Sequence, residues 1–366
     1  MSGMTAEALL EGPRGRRLCL ELLLHAAEGM SGGSSEERAV VSWAATRLDP
    51  AYGTPAMGFF GPGASLPHPN PSSADAAAAL ARIPLPEEYE ASLLWTALAA
   101  SVDAARYWQE PDGEDLLAAV PELRPQLRRA AERIARSEAV SWWDDPVDRR
   151  NQRLVIPDGH PPPSDEAAAA ALDGWREQWP ELQPDPDDPL RGDALAMVGG
   201  DWWSIPPFAL RGTTREVPGW GPAGIRWIED GFGWNRFEVL EASTAPGPVL
   251  ELRGPEEWAA LCRRHPIDLS ASTHRRHWLD VTGEDRRWVL PDWSRVAEEY
   301  AGVHLTVLGY LRTATRLVEL GDGRASVLAG WNPDATYWLR DGTRATGRAT
   351  FWSRPDQTED WTAESP

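Results

Sequence analysis

The sequence predicts an α+β fold: an N-terminal helical bundle, then an acidic Pro-rich linker, then a Trp-rich mixed α+β sheet domain. Three observations carry this. Apolar residues between positions 15 and 150 recur at helical spacing, the composition shifts to Pro and Asp between 157 and 200, and short apolar runs bounded by turn residues dominate from Asp201 onward. The 366 residues suffice for two or three domains. The expected divisions are a helical domain at 14–156, the linker at 157–200, the sheet domain at 201–346 and a flexible tail at 347–366.

In the first division, Leu18, Leu22 and Leu23 repeat with helical period, and Val40, Val41 and Trp43 follow the start signal Ser34-Ser35-Glu36-Glu37. Pro50 to Ser73 is dense in Gly and Pro and predicts a loop, because proline removes backbone donors and glycine weakens a helix. Helical patterns resume over Glu87 to Tyr107 and over Pro121 to Arg136, the latter opened by a helix-start proline. The linker holds a short Ala-rich helix between PDGHPPPSDE and PELQPDPDDP. Beyond it, strands are expected at Gly224 to Ile228, Arg236 to Leu240, Pro248 to Leu252, Val303 to Leu311, Arg324 to Leu328 and Ala335 to Leu339. Helices are expected at Pro255 to Arg264 and Asp292 to Tyr300. Strand runs with so few helices fit α+β better than a strictly alternating parallel sheet.

The chain carries 56 acidic against 36 basic residues, a formal charge of -20, so general binding of duplex nucleic acid through a basic face is not expected. Such a charge could instead steer a basic protein partner. Every basic residue is arginine. The absence of lysine excludes a Schiff-base lysine, a Walker-type phosphate-binding lysine, a kinase strand lysine and a serine–lysine dyad. Cys19 and Cys262 lie far apart among apolar residues, which predicts buried, reduced thiols and a cytoplasmic protein. Leu18 to Ala27 is broken by Glu21 and His25, a poor signal peptide, and no run approaches the roughly 18 apolar residues of a membrane span.

Candidate chemistry is sparse. Arg263-Arg264, Arg275-Arg276 and Arg286-Arg287, with His265, His274 and His277 among them, form a basic island that could take a small anionic ligand, since arginine forks hold phosphate and carboxylate bidentately; pairing with the chain's own carboxylates is the alternative. His274 and His277, three apart, could share a helix face and hold a metal with His304 or His265, which would make the chain a metal-dependent enzyme. No G-x-S-x-G elbow and no G-x-G-x-x-G turn occurs. The tryptophans, 13 of 20 of which follow Asp201, could form a stacking platform or fill the core. Asp144-Asp145 reads as a helix-terminating turn or a carboxylate pair for a metal.

The segment FALRGTTR, with Arg211 and Gly212 at the end of a strand, then Ser270-Ala271-Ser272-Thr273, then Glu319 in RLVELGDGRASV, resembles the arginine-serine-glutamate class of ADP-ribosyltransferases in order and spacing. That resemblance implies NAD as cofactor. It implies that Arg211 grips an NAD phosphate, that Ser270 and Ser272 fix the nicotinamide side of the cleft, and that Glu319 bonds the nicotinamide ribose and stabilises an oxocarbenium-like transition state. Leu317 stands where side-chain-modifying members carry Glu or Gln, and Asp334 in WNPDATYWL competes for the carboxylate role. The PDW-x-x-V-A and W-x-x-D-x-T-x-W-L strings resemble proteins of high-GC bacteria and imply no activity. The alternative to an enzyme is an acidic protein-interaction module presenting an exposed aromatic patch to a partner.

Overall fold

The computed structural model describes residues 3–31, 35–52, 69–160, 167–181, 201–229, 231, 233–269, 272, 274–355 and 360–364. The fold is α+β. Its first part is helical: α1 (Ala6–Glu11), α2 (Pro13–Ser31), α3 (Glu36–Leu48), α4 (Ser73–Arg82), α5 (Ala91–Asp103), α6 (Gly113–Ala119) and α7 (Arg124–Ile134). Starts follow capping chemistry. The Ser35 hydroxyl accepts from Arg38 N–H at α3, and Ser72 and Asp75 form a reciprocal capping box at α4. α2 is the hub: Leu18, Cys19, Leu20, Leu22, Leu23 and Leu24 are all buried, as a helix surrounded by neighbours requires.

Next come β1 (Arg153–Pro157) and α8 (Ala168–Glu181). The last part contains β2 (Arg211–Thr213), β3 (Glu216–Val217), β4 (Gly221–Pro222), β5 (Arg236–Ser243), β6 (Val249–Leu252), α9 (Pro255–Arg264), β7 (Pro266–Asp268), α10 (His274–Thr282) and β8 (Arg287–Pro291). It continues with α11 (Trp293–Glu299), β9 (Gly302–Leu305), α12 (Val307–Thr313), β10 (Val318–Gly321), β11 (Arg324–Ser326), β12 (Thr336–Trp338), β13 (Arg344–Ser353) and β14 (Thr362–Ala363). The strands form sheets ordered β1-β5-β13-β14, β2-β12-β9-β6 and β10-β11-β8-β7, plus the β3-β4 pair. Two pairings are parallel, β6 with β9 and β8 with β11.

One buried cluster runs from Leu9 through the helices to Leu339, so the helical and sheet parts share a core. The join is close. A Cβ on Gly12 would collide with the Leu311 carbonyl, and one on Gly15 with the Leu9 carbonyl, so only glycine lets α2 approach α1 and α12 this tightly. Trp227 Nε1 also donates to the Trp95 carbonyl, 3.2 Å away. The tryptophans are mainly core: Trp143, Trp227, Trp258, Trp278, Trp288, Trp293, Trp331 and Trp338 are fully buried. Among the described residues the exposed large hydrophobics are Leu48, Tyr52 and Phe208, which form no extended aromatic patch.

Several sequence expectations differ from the fold. Gly224 to Ile228 is a 3-10 turn and loop rather than a strand, and β9 ends at Leu305, where Thr306 caps α12 by accepting from Gly309 N–H at 2.9 Å. Within the division expected at 347–366, β13 continues to Ser353 and β14 pairs with it. Much of the expected linker, 161–166 and 182–200, lies outside the described residues, while α8 within it packs on α11. No described helix is long and apolar enough to cross a membrane.

Candidate functional site

A cavity of about 470 Å³ opens where β1, β2, β5 and β12 meet the 201–210 segment. β1 contributes Val155 and Ile156, β5 contributes Phe237, and β12 contributes Tyr337. Trp202, Trp203 and Trp234 line it, with Phe208, 67 % exposed, on its lining. The 201–210 segment is anchored at several points. Ser204 N–H donates to the Ala329 carbonyl at 2.9 Å, Trp278 Nε1 donates to the Trp202 carbonyl at 2.8 Å, and Trp202 stacks on Tyr107 with ring centroids 5.1 Å apart. Gly330 sits at φ +77°, and a Cβ there would meet Trp203 at 2.9 Å, so glycine is required for this wall to close.

The acidic residue on its lining is Glu229. It follows the 3-10 turn at Ala223–Ile225, and its N–H donates to Asn332 Oδ1 at 2.9 Å, which fixes the backbone at the cavity wall. The Tyr107 hydroxyl, from the helical part, donates to its Oε1 at 2.7 Å. Oε2 is sealed from water. Burial pushes this carboxyl up to about 7, although Tyr107, Tyr310, the Arg14 guanidinium and the Gly330 N–H stand close enough to favour its charged form. The Thr214 hydroxyl on the same wall is also buried without a partner. Arg153 is partly engaged: Nε and Nη2 hold Glu216 at 2.7 and 2.6 Å, and Nη1 donates to the Gln152 carbonyl at 3.2 Å.

A second polar group lies behind β2 and β9. Asp334, 1 % exposed and at φ +60°, accepts from Arg215 Nε at 2.6 Å and from Arg215 N–H at 3.0 Å. Buried His304 lies between it and Glu251, with Nδ1 2.6 Å from Glu251 Oε2 and Nε2 3.4 Å from Asp334 Oδ1. Burial alone would push His304 down, but the two carboxylates outweigh it and its pKa is raised. The Arg215 guanidinium also lies 4.2 Å from the Trp142 ring centroid.

The residues singled out from sequence are scattered. Arg211, on β2, donates to the Thr343 carbonyl at 2.7 Å, while Glu319, on β10 of another sheet, is exposed and pairs with Arg286 at 3.1 Å. Ser272 Oγ donates to the Leu269 carbonyl at 3.0 Å and lies 3.2 Å from His274 Nδ1. Ser270 lies outside the described residues. Neither Arg211, Ser272 nor Glu319 lines the cavity. The basic island is occupied by the chain itself: Arg264 pairs with Glu299, Arg275 with Asp285, Arg276 with Asp280, Arg286 with Glu284 and Arg287 with Asp268, while Arg263 holds the Glu319 and Leu320 carbonyls. His274 Nε2 contacts the Trp203 carbonyl at 3.0 Å, and burial pushes it down to about 4. Among the described residues no group of three or more His, Cys, Asp or Glu side chains is placed to hold a metal ion.

Sequence reading missed Glu229. The available signal was an acid directly after the apolar run Ile225, Trp227, Ile228. No family model matches the chain, and neither a curated protein nor a solved structure matches it.

Proposed function

We propose that this chain is a small-molecule-binding protein whose ligand occupies the cavity beside Glu229. One observation carries the reading: a cavity of about 470 Å³ is walled by Trp202, Trp203, Trp234, Phe237 and Tyr337, with Glu229, Asn332 and Thr214 among the few polar residues on its lining. Ligand sites are typically ~300–1,000 Å³, mainly apolar, with a few polar groups that fix orientation. Support comes from this cavity rather than from the NAD resemblance, whose Arg211 and Glu319 stand on different sheets. The buried, unpaired thiols of Cys19 and Cys262 support a reducing, cytoplasmic setting.

Ile228 lines the cavity and is half-buried, so Ile228→Trp should fill the space with little strain on the core. Neutral indole, followed by ligand-observed NMR, is expected to bind the parent protein and to bind this variant at least tenfold more weakly, with the variant's melting curve still cooperative. Equal binding by both proteins, or binding by neither, overturns the reading.

A further inference from the structure

We infer that the ligand is an uncharged aromatic molecule carrying a carbonyl group, whose oxygen takes a hydrogen bond from Asn332 Nδ2 while its ring lies against the tryptophan walls. This rests on the small-molecule reading above and names the ligand class. The polar side chains on the lining decide that class. Thr213 is spent, because its hydroxyl donates to Gln152 Oε1 and accepts from Trp338 Nε1. The Thr214 hydroxyl and Glu229 Oε2 are sealed from water, and Glu229 Oε1 already accepts from Tyr107. None of these gives an entering donor an oxygen that is both open and unused.

Donors remain. Asn332 Oδ1 accepts the Glu229 N–H at 2.9 Å, which fixes the orientation of the amide and leaves Nδ2 as its other end. Nδ2 has no acceptor among the described residues and is not sealed from water, and Asn332 stands on the lining. Arg153, whose side chain is 18 % exposed, spends three of the five N–H groups of a guanidinium on Glu216 and Gln152 and keeps one on each terminal nitrogen. The Tyr337 hydroxyl and the exposed His160 ring can take either role and do not discriminate. Open donors without matching open acceptors select a ligand that brings the acceptor. Charge then selects a neutral one: Arg153 already has Glu216 as its counterion, and a chain of formal charge -20 opposes an incoming carboxylate. A carbonyl oxygen accepts without carrying a charge, and an aromatic ring suits the apolar walls.

Three probes of one ring separate the possibilities: indole, which brings no carbonyl, 3-acetylindole, which brings a ketone, and indole-3-carboxylate, which brings a charge. They are titrated calorimetrically at pH 8 into the parent protein and Asn332→Asp. In the variant one carboxylate oxygen still accepts from the Glu229 N–H, while the amide donor is replaced by a second acceptor. The parent protein is expected to bind 3-acetylindole roughly tenfold more tightly than indole, the worth of one well-placed hydrogen bond, and to bind indole-3-carboxylate more weakly than the ketone. In Asn332→Asp the ketone should bind no more tightly than indole. The parent protein alone keeps the test decisive if the variant fails to fold. A ketone no tighter than indole in the parent, a carboxylate tighter than the ketone, or an advantage that survives in Asn332→Asp overturns the inference. If indole still binds the parent and is weakened in Ile228→Trp, the small-molecule reading stands without it; if none of the three binds, both fall.

Discussion

Arg14→Met is expected to destabilise the protein by about 3 kcal/mol, read as a lowered urea midpoint at unchanged slope. Arg14 is fully buried at the start of α2 and bonds in three directions: Nε to the Thr315 hydroxyl at 3.1 Å, Nη1 to the Ser101 carbonyl at 2.8 Å, and Nη2 to the Asp115 carboxylate. It thereby ties α2 to α5, to α6 and to the chain leaving α12. Removing one partner of a buried ion pair typically costs ~3–5 kcal/mol, because the other charge stays behind in low dielectric. The lower end applies, since Arg17 also reaches Asp115, at 3.2 Å, and retains part of the compensation. The same change at Arg124, whose pair with Glu7 is more than half exposed, should cost about 0–1 kcal/mol. An equal loss at both positions would contradict this assignment.

Asp334→Asn is expected to cost about 3–5 kcal/mol, and more at pH 5.5 than at pH 8.5. Asparagine tolerates the left-handed backbone at this position, so the variant isolates charge from conformation. It leaves Arg215 without its counterion and His304 with Glu251 alone. The pH dependence follows from the raised pKa of His304 in the fold. A raised histidine contributes stability that is complete below its unfolded value of roughly 6.5 and disappears as pH rises through its folded value. Asp334 supplies part of that shift, so its removal takes most where the histidine is charged. Chemical denaturation at both pH values checks this; a cost that grows with pH would reverse the assigned role of His304.

Much of the fold was legible locally. Ser35 and Asp292 cap helices, Pro255 starts one, and Arg236 to Leu240 and Arg324 onward form strands where turn residues bracket apolar runs. Reading failed where period carries no information. Val303 to Leu311 is mostly apolar and buried throughout, and a buried strand followed by a buried helix has the same pattern as one long strand; only Thr306 marks the change. β13 is polar and largely exposed along its first half, so it lacks the alternation that would signal it. The site was less legible still. Its walls come from positions between Arg153 and Tyr337 that only the tertiary fold gathers, and Glu229 has no partner nearby in sequence, since Tyr107 reaches it from the helical part. The conspicuous arginine pairs proved to have acceptors within the chain, the outcome expected where carboxylates outnumber guanidinium groups.

Crystals of the parent protein soaked with small aromatic fragments test the ligand site most directly. Fragment density is expected between Trp202, Trp203 and Trp234. Fragments that bind only elsewhere, with this cavity left to solvent at saturating concentration, would contradict the assignment.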